Sequence, residues 1–367
     1  MADVELVQRA KSLIDRLCEQ PRFSGSTEES AARELCKREL ESAGFDCRER
    51  SFDFSQSPAR WGPALSAALQ AATILIVART AMEQRPLLAI IVAGVLIAAL
   101  ILVDAYAKRR WITNFPAQRA RSLNLEAKRG TPLVWLVAHI DSKSQTVPML
   151  FRIAGSVALA VILIVAIVLL LLSLVGVQRV SSLWPAVQIV AIIAALPGLA
   201  CYVGNKSSGA VDNASGVVAV LLAAQSTATP RDLGVLITSG EELGLAGARV
   251  WAMSAPKEAR ILNCDTVDDT GNWRCMYTGA KPEQLTQSAR RVAEGFAARL
   301  RVTRLIPGIL ADNMPFADRG IDAITLSRGT LGTLARIHTR RDNSNALTGK
   351  GAAEASALLS GLAKELA

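Results

Sequence analysis

A single uncharged segment places the strongest constraint on how this chain can fold. From Ile153 to Val177 the sequence reads IAGSVALAVILIVAIVLLLLSLVGV, which is 25 residues without a charged side chain. A helix needs roughly 20 residues to cross the hydrocarbon core of a bilayer. The segment is therefore predicted to span a membrane, and the lipid bilayer is a predicted partner of the protein.

Three further apolar segments extend this prediction to four spans. Ser181–Gly204 is also uncharged, and Pro86–Val103 is short but fully apolar. Trp61–Ala78 is weaker, because it contains Gln70 and Thr73. The connections within each pair of spans are very short, so each pair is predicted to form a hairpin that leaves and returns on one side of the membrane.

The two hairpins determine the predicted domain organisation. Residues 61–103 form the first hairpin and residues 153–204 the second. Residues 1–60, 104–152 and 205–367 then lie on one side of the membrane as a discontinuous domain. These stretches together are long enough for one sizeable α/β domain.

The charge pattern predicts an integral membrane protein whose soluble domain and both termini are cytoplasmic. The N-terminal segment is charged and amphipathic, unlike a secretory signal. Basic residues are concentrated beside the spans on the domain side, as the positive-inside rule expects of cytoplasmic segments. They are Arg48, Arg50, Arg60, Lys108, Arg109, Arg110, Arg119, Lys143, Arg152 and Lys206, against Arg79, Arg85 and Arg179 in the far loops.

Two features of the composition exclude other classes of protein. The net charge is +9, but much of the excess lies beside the spans, where anionic lipid is a nearer partner than nucleic acid. The six cysteines show no CxxC spacing, so we expect reduced, structural thiols in a cytoplasmic domain.

The soluble stretches alternate between strand-like and helix-like patterns. Strands are predicted at 121–127, 133–138, 234–239 and 259–265, and helices at 214–226 and 283–300. Such alternation predicts an α/β domain with a mixed, largely parallel central sheet flanked by helices. Ligands bind at the carboxyl ends of the strands in such sheets, so the residues that close each strand matter most.

The segments that close these strands contain both histidines of the chain. The candidate site residues are His139, Asp141, Asp212, Glu241, Glu242, Asp265, His338 and Asp342. Neutral imidazole and carboxylate are the ligands expected for zinc. Two zinc ions some 3.5–4 Å apart need about five protein ligands and an unliganded base, which this set supplies. Two Zn²⁺ per chain are therefore predicted.

Five short motifs occur in a diagnostic order: HIDS, DNASG, EELGLAGA, NCD and IHTRRD. In this order they resemble the co-catalytic di-zinc aminopeptidases, metallopeptidase family twenty-eight, typified by secreted bacterial leucyl aminopeptidases. The segment 311–326 resembles that family's Ser-Asp-His-x-x-Phe region. The match covers nearly all of the soluble portion and none of the spans. It implies a membrane-anchored metallo-exopeptidase that hydrolyses N-terminal residues from peptide substrates.

The resemblance also implies a role for individual residues. Asp212 would bridge two zinc ions, Glu241 would take a proton from the attacking water, and Asp141 would orient His139. The peptide bond between Asp212 and Asn213 would be cis. The remaining ligands would be Glu242 and His338 on the first zinc, and His139 and Asp265 on the second.

Some features depart from the family pattern and leave alternatives open. Val211 and Asn313 differ from the residues usual in secreted relatives, which concerns substrate fit more than metal binding. The HxDSK sequence also resembles glutaminyl cyclases, which are single-zinc acyltransferases of the same fold. A carboxypeptidase and a catalytically inactive, receptor-like binding protein are further alternatives. Arginines that could bind a substrate carboxylate are Arg319, Arg336, Arg340 and Arg341.

Overall fold

The computed structural model describes residues 3–106, 115–226, 231–305 and 308–367. Lys108, Arg109 and Arg110, which contribute to the predicted orientation, lie outside the described residues.

The chain divides into two compact units. The first comprises residues 1–54, 119–144 and 205–367, and the second comprises residues 55–118 and 145–204. The predicted soluble domain ended at residue 60, resumed at 104 and ended again at 152. The units in the structure divide at residues 54, 119 and 144 instead, and the helices that contain the first and third apolar segments begin at Ser57 and Met149.

An eight-stranded mixed sheet forms the centre of the first unit. The strands of the chain are β1 (Asp46–Ser55), β2 (Arg119–Arg129), β3 (Val134–His139), β4 (Ser144–Gln145), β5 (Val203–Gly204), β6 (Leu233–Thr238), β7 (Arg260–Val267), β8 (Asn272–Tyr277), β9 (Leu300–Arg304) and β10 (Asp322–Gly329). The sheet has the order β1-β2-β6-β3-β7-β10-β8-β9. Strands β6, β3, β7 and β10 run parallel to one another, whereas β2 and β8 pair antiparallel with β6 and β10. The predicted mixed, largely parallel sheet is confirmed.

Helices cover the central strands of this sheet. The helices of the first unit are α1 (Val4–Leu17), α2 (Thr27–Ser42), α7 (Ser215–Gln225), α8 (Ala246–Ala252), α9 (Glu283–Gly295), α10 (Asn313–Ala317), α11 (Leu331–Arg336) and α12 (Lys350–Leu366); those of the second are α3 (Ser57–Met82), α4 (Pro86–Tyr106), α5 (Met149–Leu174) and α6 (Trp184–Leu199). Strands β3 and β6 are buried along their whole length, as expected of parallel strands with helices on both faces.

One face of the sheet is organised around Trp135 of β3. Its indole lies over Gly234 of β6, where a Cβ atom would come within 2.3 Å of the ring. The ring then makes an edge contact with Trp251 of α8, at 4.8 Å between centroids. Leu136 and Ala138 alternate with Trp135 along the strand and so face the other side, where α7 contacts β3.

The start of α2 is capped by a side chain, and the end of α9 differs from the prediction. Ser26 caps α2 by accepting a hydrogen bond from the backbone of Glu29. The helix predicted over 283–300 was too long, because α9 ends at Gly295. Ala297 then adopts a positive φ of 53°, and the chain enters β9 at Leu300.

Among the residues that the structure describes, the second unit contains four apolar helices. Three segments are long and apolar enough to cross a membrane: Ser57–Met82, Met149–Leu174 and Arg179–Leu199. The fourth helix, α4, is apolar over Pro86–Leu102, which is a shorter segment. By length and composition, association of this chain with a membrane is therefore possible.

Small residues line the contacts between these helices. A Cβ atom on Gly198 would lie 2.5 Å from Ala67, and one on Gly155 would lie 2.8 Å from the carbonyl oxygen of Ala194. Small residues allow such close approach, which is typical of helix packing in membranes. Large aliphatic side chains of the unit are exposed instead, including Leu87, Ile91, Val95, Val157, Val161, Ile164, Val168, Ile189 and Ile193.

The first unit brings together the two points from which the second hairpin leaves and returns. The backbone N–H of Lys206 donates a hydrogen bond to Ser144 Oγ, at 3.0 Å. Ser142 Oγ donates to the carbonyl of Ser207, also at 3.0 Å. His139 and Asp212 are 73 positions apart in the sequence, and this junction keeps their segments adjacent.

Candidate metal centre

The candidate ligands lie where the strands of the first unit end. His139 is the last residue of β3, and Asp265 lies near the end of the adjacent parallel strand β7. Glu241 and Glu242 follow β6, the other neighbour of β3. The carboxyl ends of neighbouring parallel strands lie at one edge of a sheet, which explains why residues distant in sequence meet here.

Asp212 and His338 reach the same edge from loops. Asp212 lies in the turn before α7, and its peptide bond with Asn213 is cis, as the resemblance implied. His338 follows α11 and adopts a positive φ of 61°, which is uncommon for a residue other than glycine.

The side chains form two clusters that meet at Asp212. Asp212 Oδ1 lies 3.2 Å from His139 Nε2, and Asp212 Oδ2 lies 3.0 Å from His338 Nε2. Asp265 Oδ1 is 3.4 Å from His139 Nε2, and Glu242 Oε2 is 3.2 Å from His338 Nε2. One carboxylate thus directs a different oxygen toward each imidazole, as a bridging ligand would.

The clusters have the residue types and spacing of metal sites. Ligand atoms of His139, Glu241 and Asp265 lie within 4.8 Å of one another, and so do those of Asp212, Glu242 and His338. All of these residues are buried. His139 Nε2, His338 Nε2 and Glu242 Oε1 have no hydrogen-bond partner among the described residues. Buried polar atoms normally have partners, so two Zn²⁺ fit this donor set.

The charge of the centre also fits two cations. Its buried carboxyl groups belong to Asp141, Asp212, Glu241, Glu242, Asp265 and Asp312. Lys143 contributes one positive charge, with Nζ 2.6 Å from Glu242 Oε2. Buried charges of one sign are costly unless cations or protons compensate them.

The Asp-Asn-Ala-Ser-Gly segment owes its shape to the Asn213 side chain. Asn213 Oδ1 accepts hydrogen bonds from the backbone of Gly216 and Thr266, and Nδ2 donates to the carbonyl of Cys264. A Cβ atom on Gly216 would lie 2.1 Å from Asn213 Oδ1. The amide therefore ties the turn that carries Asp212 to the end of β7, which carries Asp265.

The carboxylate of Asp141 contacts the Glu-Glu pair more closely than it contacts His139. Its Oδ1 and Oδ2 accept hydrogen bonds from the backbone N–H groups of Glu241 and Glu242, both at 3.2 Å. His139 Nδ1 lies 3.1 Å from the carbonyl oxygen of Asp141 and 3.7 Å from its carboxylate. The backbone of Asp141 thus contacts the imidazole while its side chain fixes the loop after β6.

Burial and neighbouring charges perturb the pKa of Glu241. Burial raises its pKa well above the usual range, the charge of His139 opposes this, and the charges of Glu242 and Asp265 raise the pKa further. Glu241 Oε2 lies 4.0 Å from His139 Nε2, farther than the oxygens of Asp212 or Asp265. Burial thus favours the protonated form of the Glu241 carboxyl group.

Asp212 and Asp265 show opposite perturbations. Burial opposes the ionisation of Asp212, but its close contacts with the imidazoles of His139 and His338 outweigh burial and hold the pKa low. For Asp265, burial outweighs the contact with His139, so its pKa is raised. Of these two carboxyl groups, that of Asp212 is therefore the more readily ionised.

Sequence reasoning assigned no role to three residues that contact this centre. Lys143 was considered only as one of the basic residues beside the predicted spans. It ends the HIDSK sequence, two residues after Asp141. Asp312 accepts a hydrogen bond from Thr238, and its burial raises its pKa to about 7. Asp342 was a candidate without a role, and it contacts the backbone of the Asp212 turn.

Comparisons with known proteins agree with this geometry. None of the curated proteins compared with the chain matches it in sequence. The aminopeptidase from Aneurinibacillus sp. strain AM-1 has a similar structure, with a TM-score of 0.58 at 13% identity, over 98% of this chain and 93% of that one. The zinc aminopeptidase BSAP from Bacillus subtilis has a TM-score of 0.56 at 14% identity, over 98% of this chain and 94% of that one. The glutaminyl cyclase from Porphyromonas gingivalis has a TM-score of 0.56 at 13% identity, over 98% of this chain and 98% of that one. At these identities the likeness establishes the fold.

The sequence model of a peptidase family matches a large part of the chain. The match is to peptidase family M28 and extends over residues 123–363. This range includes every residue of the two clusters. Because the match covers well over half of the sequence, the chain belongs to peptidase family M28.

Proposed function

We propose that this protein is an integral-membrane zinc aminopeptidase that removes N-terminal residues from peptides. The observation that carries the proposal is the position of Asp212 between the two imidazoles, with Oδ1 3.2 Å from His139 Nε2 and Oδ2 3.0 Å from His338 Nε2. Glu241 Oε2 lies farther from His139 Nε2, at 4.0 Å. Family membership and the fold shared with zinc aminopeptidases support a peptidase.

The residues of the centre have distinct roles in this proposal. Glu242 and His338 would hold one zinc ion, His139 and Asp265 would hold the other, and Asp212 would be a ligand of both. Zinc, when bound, lowers the pKa of a coordinated water and stabilises negative charge on a carbonyl oxygen. Glu241 accepts the proton of the attacking water and donates it to the leaving amine. Asp141 holds the backbone of Glu241 in place.

The proposal predicts activity toward substrates with a free α-amino group. Purified full-length protein in detergent should contain two zinc ions per chain and should hydrolyse aminoacyl-p-nitroanilides, whereas the matched N-acetyl-aminoacyl compounds should remain intact. Metal content is measured by mass spectrometry and hydrolysis by absorbance. Equal cleavage of the free and the acetylated substrates would contradict an aminopeptidase, and cleavage from the C-terminus of a peptide would indicate a carboxypeptidase.

A glutaminyl cyclase is the second candidate, because Lys143 follows the His-x-Asp-Ser sequence and solved cyclases share the fold. The same preparation separates the two functions. A cyclase should release ammonia from a peptide with N-terminal glutamine, form a pyroglutamyl product and leave other N-terminal residues uncleaved. Two metal ions per chain together with release of free amino acids would favour the aminopeptidase.

We also propose that four helices cross the membrane and that the catalytic unit and both termini are cytoplasmic. The apolar outer surface of the second unit and its small-residue helix contacts support insertion into lipid. The distribution of basic residues along the sequence supports the orientation.

Cysteine labelling tests this topology. Probes are placed at exposed positions, with Met82→Cys and Arg179→Cys in the far loops and Glu283→Cys in the catalytic unit. Cys47 is replaced by serine first, because the other five native thiols are buried. An impermeant maleimide should label residues 82 and 179 in sealed spheroplasts, and residue 283 only after permeabilisation. The reverse pattern would place the catalytic unit outside.

A further inference from the structure

Asp342 makes an unusual pair of contacts beside the metal centre. It is completely buried, and it lies four residues after His338 in the same loop. Its Oδ1 accepts a hydrogen bond from the backbone N–H of Val211, at 2.8 Å. Its Oδ2 accepts one from the backbone N–H of Asp212, at 3.2 Å. Both oxygens are therefore used to hold the turn that carries the bridging carboxylate.

The same arrangement occurs on the other side of the centre. Asp141 uses both oxygens to accept the N–H groups of Glu241 and Glu242. In each case a buried aspartate from one segment holds two successive backbone N–H groups of a second segment, and that second segment carries a metal-ligand candidate. The aspartate itself belongs to neither cluster of possible ligands.

The connection through Asp342 links ligands that are far apart in the sequence. His338 and Asp342 are in one loop, whereas Asp212 is in the turn before α7. The contact is reinforced by Ser208, whose hydroxyl donates to the carbonyl oxygen of Asp342, at 3.2 Å. The loop that supplies one candidate ligand thereby fixes the backbone of Asp212, whose carboxylate approaches both imidazoles.

We propose that Asp342 is a positioning residue that holds Asp212 in its bridging geometry and so sets the affinity of the centre for both metal ions. This rests on the proposed two-zinc centre. Because Asp212 contributes a different oxygen to each cluster, a displaced Asp212 backbone disturbs both sites together. Partners that orient metal ligands typically change metal affinity about 10–100-fold when they are removed.

The test uses Asp342→Asn in the full chain. The amide keeps the size of the side chain but offers only one acceptor oxygen, and its N–H₂ group faces a backbone donor. Protein stripped of metal is titrated with Zn²⁺ against a chromophoric chelator, and with Co²⁺ while the visible absorption is recorded. We expect zinc affinity to fall about 10–100-fold. We also expect the cobalt spectrum to differ from that of the wild-type protein during binding of both the first and the second Co²⁺ ion.

Asp268→Asn is the matched control. Asp268 is also buried, and it accepts hydrogen bonds from the side chains of Thr333 and Arg336 and from the backbone of Asp269, but none from the backbone of a candidate ligand. We expect wild-type zinc affinity and an unchanged cobalt spectrum for this variant. An equal loss of affinity in both variants would indicate general loosening of the fold and would overturn the proposal.

Two further outcomes keep the proposal distinct from the function on which it rests. If wild-type protein binds two zinc ions and folded Asp342→Asn binds them equally well, the positioning role is wrong while the proposed function stands. If wild-type protein binds no zinc, both are wrong. Should Asp342→Asn fail to fold, Asp342→Glu replaces it, since the longer side chain displaces both acceptor oxygens. Unchanged affinity in that folded variant would also overturn the proposal.

Discussion

Glu241→Gln should lower kcat by about 10²–10⁴-fold while leaving two metal ions bound per chain. The glutamine side chain has nearly the same shape but cannot accept and return a proton. Burial raises the pKa of Glu241, and the charges of the neighbouring carboxyl groups raise it further. The measurements are kcat with an aminoacyl substrate and metal content by mass spectrometry, on the same preparation.

The matched control is the identical substitution one residue later. Glu242 Oε1 has no partner among the described residues, and Oε2 lies 3.2 Å from His338, so we assign this side chain to the metal. Glu242→Gln should therefore weaken metal binding, whereas Glu241→Gln should not. Normal turnover in the Glu241 variant, or loss of metal from it, would contradict its assignment as the base.

Asp212→Ala should remove both metal ions and, with them, all measurable hydrolysis. Its two oxygens lie 3.2 and 3.0 Å from the imidazoles of His139 and His338, so both clusters lose a ligand at once. Zinc stabilises a protein that binds it only when folded, by about 2.7 kcal/mol at a concentration of 100 times Kd. Added zinc should raise the Tm of the wild-type protein and leave that of Asp212→Ala unchanged.

Variants of the two histidines distinguish a ligand of both metal ions from ligands of only one. His139→Ala should impair one site and His338→Ala the other, so each should retain more metal than Asp212→Ala. The wild-type protein should bind two ions in the same assay. Equal metal content in the Asp212 variant and either histidine variant would argue against a bridging role for Asp212.

The parts of the fold that follow from local pattern were predictable from the sequence. Continuous apolar runs predicted β3 and β6. Strand β10 was not predicted, although it lies between β7 and β8. Its sequence, DAITLSRG, is short and partly polar, and its burial comes from neighbours that pair with it on both sides.

The apolar helices of the second unit were also predictable from the sequence only in part. Lack of charge over Ile153–Val177 was enough to predict a helix of spanning length, and the structure has one at Met149–Leu174. The sequence could not show which helix faces contact each other. The close approaches of Gly155 and Gly198 to neighbouring helices depend on the crossing of those helices, which the hydropathy of one segment does not encode.

The sequence by itself determined the chemistry of the metal centre. Both histidines of the chain lie in motifs that contain carboxylates, and the order of those motifs identified the candidate ligands. The tertiary structure decided how these residues are held. The contacts of Asp141 with the Glu-Glu backbone and of Asp342 with Asp212 join segments about 100 and 130 positions apart. Hydrogen bonds across such separations exist only after the strands have assembled, because parallel pairing brings their carboxyl ends to one edge.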